Sequence, residues 1–165
     1  MADPRAFISF DFDHNEDEKR YFAGQAKNSR TPFDIADWSS KSSLPQSTWE
    51  KTVKEKINKC HMVIVLVGKY MASATGVAKE IKWADEQDVP VFGVYVGGAT
   101  SSSNLPGGLQ RNRTIPWEWD KIASAIDQVM KEGKNKPVER LVSINWLRAQ
   151  AVLMILLCSL CQRSR

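Results

Sequence analysis

Residues 62–67 read Met-Val-Ile-Val-Leu-Val, six apolar side chains in succession and most of them β-branched. A strand with one wet face alternates apolar and polar residues. One that is apolar at every position needs cover on both faces, the situation of a parallel sheet held between two layers of helix. The rest of the chain must therefore supply helices for two sides of a sheet.

The flanking segments do so. Residues 6–12 predict a first strand, short, apolar and ending in acids. Asn15 and Glu18 have the spacing of a helix start in which Asn15 caps and Glu18 reaches back. Tyr21, Phe22 and Ala26 continue that helix to about Ser29. Residues 32–36 predict a second strand and 37–46 a polar loop. Ser47 and Glu50 form a capping box ahead of a helix whose apolar face is Trp49, Val53, Ile57 and Cys60. After strand 62–67, a loop over 68–75 leads into a helix ending near Gln87, then a strand at 89–96. The Gly/Ser/Asn-rich stretch 97–113 is long for such a connection, hence mobile or functional. An edge strand at 114–116 and a helix over 118–132 follow, with Ile122, Ile126, Val129 and Met130 inward and Gly133 as its stop. This alternation predicts an α/β, flavodoxin-like three-layer sandwich: a parallel sheet of about five strands in the order 2-1-3-4-5. The loops after strands 1 and 3 then border one crevice.

Charge narrows the function. The chain of 165 residues carries a formal net charge of +4, but residues 134–165 hold six of its 23 Lys and Arg and one of its 19 Asp and Glu. Residues 1–133 keep 17 basic against 18 acidic side chains, so nucleic acid is not the expected partner. Two units are expected: a domain over 1–133 and a basic, apolar tail over 134–165, either a partner-docking segment or a non-native extension. The charge-free run in that tail, 149–161, has 13 residues, against the ~20 a helix needs to span a bilayer. Cys60, Cys158 and Cys161 suggest neither a disulfide framework nor a metal site. With no secretory signal ahead of the first strand, a cytoplasmic setting is expected.

The sequence also lacks a phosphate-binding P-loop and a glycine fingerprint after strand 1, which disfavours nucleotide hydrolysis and Rossmann-type redox chemistry. His14 and His61, the only histidines, stand in no visible catalytic or metal pattern and read as structural or solvated. The residue that draws attention is Glu80, in the early turns of a helix just past the carboxyl end of the buried strand. Ligands of open α/β sheets bind at that edge. On the residues alone, an ordinary acid near a helix start, facing solvent, is the simpler account.

Four stretches together carry a resemblance. Phe7-Ile8-Ser9-Phe10 looks like the "FISY" opening strand of TIR domains, and the loop from Asp37 matches the one after their second strand. Tyr70-Met71-Ala72-Ser73, followed by Glu80, resembles the stretch in which a Tyr or Phe and a Ser precede their catalytic Glu. Over roughly residues 5–132 the chain is most similar to the bacterial TIR-like proteins of Thoeris anti-phage defence, the ThsB type. It departs in having Gly76-Val77 where many enzymatic TIRs carry Trp-Cys. The resemblance implies an NAD+ nucleosidase or ADP-ribosyl cyclase. NAD+ is then a substrate, with no cofactor and no metal, and a cyclic ADP-ribose isomer is a product sensed by a separate effector.

Glu80 is then the catalytic residue, with Asp11, Phe12, Trp38, Ser73, Thr75 and Trp83 as substrate-binding candidates. Phe12 and Trp38, on loops at the same sheet edge, are placed to stack on a base. Asp11 either binds a ribose hydroxyl or caps a helix. Of Ser73 and Thr75, one is expected as the cap of the Glu80 helix. Trp83 either walls the site or packs in the core. Two other readings stay open: a non-catalytic TIR module working by homo-oligomeric assembly, and a phospho-acceptor receiver domain. The latter fits Asp11 and Asp13 but lacks an Asp at the end of strand 3, where Gly68 stands.

Overall fold

The computed structural model describes residues 4–26, 33–38 and 45–135. The chain runs β1 (Arg5–Phe10), α1 (Glu16–Ala26), β2 (Asp34–Trp38), α2 (Gln46–Asn58), β3 (Met62–Val67), α3 (Thr75–Glu86), β4 (Val91–Tyr95), β5 (Thr114–Pro116) and α4 (Trp119–Val129). The five strands among the described residues form one parallel sheet in the order β2-β1-β3-β4-β5. This is the expected topology, and the switch point falls between β1 and β3. Of the expected tail, 134–165, residues 136–165 lie outside the described residues.

β3 shows why the sheet is organised around it, since all six of its residues are fully buried. Strand alternation deals them to two cores. Val63, Val65 and Val67 join Phe7 of β1 against Val53 and Ile57 of α2 and Val77, Ile81 and Ala84 of α3. Met62, Ile64 and Leu66 join Ala6, Ile8 and Phe10 of β1 against Phe22 of α1 and Ile122, Ile126 and Val129 of α4. The odd-numbered side chains of β1 thus face α2 and α3, and the even-numbered ones face α1 and α4.

The helix starts differ from expectation. α2 begins at Gln46 after Pro45, with no side-chain cap, and the Ser47–Glu50 box does not form. Pro45, at φ −52°, sets the turn instead. Glu50 is taken by Gln46 Nε2 at 2.9 Å and by Lys79 Nζ of α3 at 2.8 Å, and these bonds, Lys79 first, hold its pKa below the ordinary value. α3 has Ala74 at its cap position, because the Ser73 hydroxyl turns back to donate to the Tyr70 carbonyl at 2.9 Å. Asn15 does not cap through its oxygen either. Its buried Oδ1 has no hydrogen-bond partner among the described residues, and its carboxamide lies over Gly68. A Cβ on Gly68 would lie 2.3 Å from those carboxamide atoms, so glycine is what lets α1 close on the end of β3.

The long connection over 97–113 is pinned rather than loose. The Arg111 guanidinium donates to the carbonyls of Ser101 and Ser103, and the Thr100 N–H donates to Ser103 Oγ at 2.9 Å. No described helix is long and apolar enough to cross a membrane.

Candidate active site

Three segments meet at the carboxyl edge of the sheet beside the switch point: the turn after β1, the connection from β3 to α3, and the first half of α3. Helix α3 buries Val77, Glu80, Ile81, Trp83 and Ala84, so the stripe at i, i+3, i+4 and i+7 contains a carboxylate. Glu80 is 1% exposed. The solvent-facing alternative is thereby removed. Its Oε2 accepts from the Ser9 hydroxyl at 2.5 Å, and Ser9 is itself fully buried. Ser9 is the single polar side chain among the buried residues of β1, and the alternation of the strand points it at α3. A carboxylate at this depth destabilises the fold unless it is hydrogen-bonded, and Ser9 supplies such a bond.

Two residues along, just past the end of β1, comes Asp11, 9% exposed. Its Oδ1 accepts from the Asp13 N–H at 3.1 Å, and its Oδ2 lies 2.7 Å from Nδ1 of His14. The His14 ring rests against the ring of Tyr70, with centroids 4.8 Å apart at 39°. Tyr70 is 62% exposed and belongs to the connection leading into α3. The turn after β1 and the connection after β3 are thus joined across the switch point by an Asp11–His14–Tyr70 chain.

The substrate-binding candidates do not all gather here. Asp11 does, but both its oxygens are engaged by its own turn, which leaves a ribose hydroxyl to compete with His14. Ser73 and Thr75 stand exposed at the head of α3, neither acting as its cap. Phe12 packs with the α1 and α4 core, its ring 5.5 Å from that of Phe10, because alternation carries it to the face opposite Ser9. Trp83 lies between α2 and α3, its ring 5.8 Å from Trp49 and under Lys54 Nζ at 5.2 Å. It therefore packs two helices together instead of walling the Glu80 site. Trp38 is the last residue of β2, paired with Ile8, and not a loop residue. Much of the loop that follows, 39–44, lies outside the described residues. A separate groove between α3 and residues 107–110, floored by Ile81 and Val91, includes neither Glu80 nor Ser9.

Ser9 and His14 were missed as functional candidates. The signals were present: a lone hydroxyl at a core-facing position of an apolar strand, and an Asp-x-x-His spacing in the turn that ends it. Among the described residues no cluster of His, Cys, Asp or Glu could hold a metal ion.

A 2-1-3-4-5 parallel sheet with helices on both faces and a buried carboxylate beside the switch point defines a flavodoxin-like α/β domain. The sequence places it further. Residues 7–101 match the family described as "Thoeris protein ThsB, TIR-like domain", and the chain belongs to that family. The match spans β1 to β4 and stops short of β5 and α4, which complete the same sheet and layer. Among solved structures, the TIR domains of the activated Roq1 resistosome directly recognizing the pathogen effector XopQ align over 93% of this chain and 99% of that one, at 15% identity and a TM-score of 0.41. No curated protein matches the chain.

Proposed function

We propose that the protein cleaves the bond between nicotinamide and ribose in NAD+, with Glu80 as the catalytic anion, and closes the ADP-ribosyl unit to a cyclic ADP-ribose isomer. The observation that carries this reading is a carboxylate 1% exposed, bonded to Ser9, beside the switch point of a ThsB-family sheet. Nicotinamide leaves a cationic glycoside as a neutral molecule, so its departure needs no general acid. Positive charge then builds on the ribose, and an oriented anion in a low-dielectric site stabilises it more than water does. In this reading Ser73, Thr75 and Trp38 border the substrate. Residues 1–133 form the catalytic domain, working in the cytoplasm as a homo-oligomer, and the product signals to a separate effector in anti-phage defence.

The test is to incubate the purified protein with NAD+ and follow free nicotinamide and ribosyl products by mass spectrometry, beside Glu80→Gln. Release by the wild type and its loss in the variant are expected. Equal release by both would end the assignment of Glu80.

One observation favours a second reading. Because Glu80 is so deeply buried and bonded within the fold, it can serve as a structural link between α3 and β1 in a module that acts by assembly alone. A wild type that self-associates, releases no nicotinamide with or without phage infection, and loses stability in Glu80→Gln would fit that reading.

A further inference from the structure

We propose that His14 is the general base that removes the proton from the hydroxyl capturing the ribosyl cation; the proposal rests on the NAD-cleaving reading above. Glu80 is placed to stabilise positive charge, but it is buried and already bonded to Ser9. The second half of the reaction needs a different group. Once nicotinamide has left with the electron pair of the C–N bond, an oxygen of water or of a ribose hydroxyl forms a new C–O bond at the anomeric carbon. As it does so its O–H proton becomes strongly acidic and must be taken up.

His14 has the features this requires. A carboxylate only accepts, so the 2.7 Å contact with Asp11 puts the ring proton on Nδ1 and leaves the lone pair on Nε2. Asp11 is itself fixed by the Asp13 N–H, and the Tyr70 ring supports one side of the imidazole. The His14 side chain remains 45% exposed, so the imidazole is reachable from solvent. Ser9, which bonds Glu80, lies near the end of β1, and Asp11, which bonds His14, follows directly after that strand ends, so both groups stand at its carboxyl end. The proton passes to Nε2, Asp11 stabilises the imidazolium, and solvent removes the proton afterwards.

The charged and titratable groups around the imidazole are Asp11 and Asp13 on its own turn and Tyr70 on the β3–α3 connection. Lys69 reaches over Gly98, and Glu18 lies over Gly97 nearby. A purely structural clasp between the two loops would hold His14 equally well, so the test needs a readout that a clasp does not move.

His14→Ala is expected to lower product formation by roughly 10²–10⁴-fold, in the range of general-base contributions. Added imidazole should restore part of it, which a side chain that only clasps the two loops would not allow. Turnover that is lost in Glu80→Gln yet unchanged in His14→Ala overturns the proposal and leaves the function standing. So does a rate deficit that imidazole does not relieve. A second arm needs no turnover: millimolar ADP-ribose added to ¹⁵N-labelled wild-type protein should shift the His14 imidazole resonances. Unmoved resonances overturn the proposal. Shifted resonances in a protein that releases no nicotinamide assign the failure to the cleavage reading instead.

Discussion

Removing the Ser9 hydroxyl gives the sharpest test of the site as a physical object. The donor and acceptor are 0% and 1% exposed and stand 2.5 Å apart, so no water replaces the lost donor in Ser9→Ala. A hydrogen bond to a charged group contributes about 1.5–3 kcal/mol, and the small volume change at Ser9 adds little. For a domain of this size 1 kcal/mol moves Tm by about 3–5 °C, so a fall of roughly 5–15 °C is expected in thermal or urea unfolding. A double-mutant cycle with Glu80→Leu isolates the pair. Ser9→Ala should cost less in the Glu80→Leu background, because the bond it removes no longer exists there. A coupling of at least 1 kcal/mol is expected on the same grounds. If Ser9→Ala lowers Tm by under ~2 °C and the cycle closes to zero, Ser9 does not hold the Glu80 carboxylate in place.

The other predictions concern the frame around the site. Burial, and then the Arg5 charge, holds the His61 pKa below its ordinary value of about 6.5, while its Nδ1 accepts from the Arg5 N–H at 2.8 Å. The unfolded chain therefore binds the proton more readily. This contribution is complete above about pH 6.5 and is lost as pH falls through the folded pKa; urea titrations at pH 7.5 and 5.5 should show that loss reduced in His61→Gln, and equal losses would refute it. Gly68→Ala forces a methyl to within 2.3 Å of the Asn15 carboxamide, so α1 must shift. A destabilisation of about 1–3 kcal/mol by chemical denaturation is expected. Arg111→Ala removes the two bonds that pin Ser101 and Ser103, and limited proteolysis should then cut within 97–113 while leaving the far-ultraviolet circular dichroism unchanged.

Most of the architecture was legible because it depends on patterns shorter than a dozen residues. The unbroken apolar run of β3 requires two covering layers, and the helical spacings on either side supply them. Failures cluster where a long-range partner overrides a local signal. The Ser47–Glu50 box is a sound local motif, but Lys79, 29 residues away, takes the Glu50 carboxylate. Phe12 reads as a loop residue free to stack on a base, yet it packs on Phe10 at the edge of the α1 and α4 core. Glu80 stood out by its place after the buried strand. Its burial was also implicit, since it is i+3 from Val77 and i−4 from Ala84. The Ser9 contact, spanning 71 residues, could only come from the fold.

Stability alone does not account for the carboxylate. Position 80 lies in a stripe otherwise made of Val77, Ile81, Trp83 and Ala84, where an apolar side chain of similar volume would pack without desolvating a charge. Buried ion-bearing groups replaced by apolar ones are often neutral or stabilising, so a fold that keeps Glu80 bears a cost that packing does not return. Ser9 limits that cost but repeats the problem, since a hydroxyl is equally out of place between Phe7 and the α3 core. The two make sense as a pair that holds a negative charge at one point beneath the carboxyl edge. Asp11 and His14, in the turn just past β1, place an imidazole beside that edge, and the Asp-x-x-His spacing of the turn holds it there. A homologous domain with the same sheet but with apolar residues at the positions of Ser9 and Glu80 should therefore fold at least as stably and release no nicotinamide.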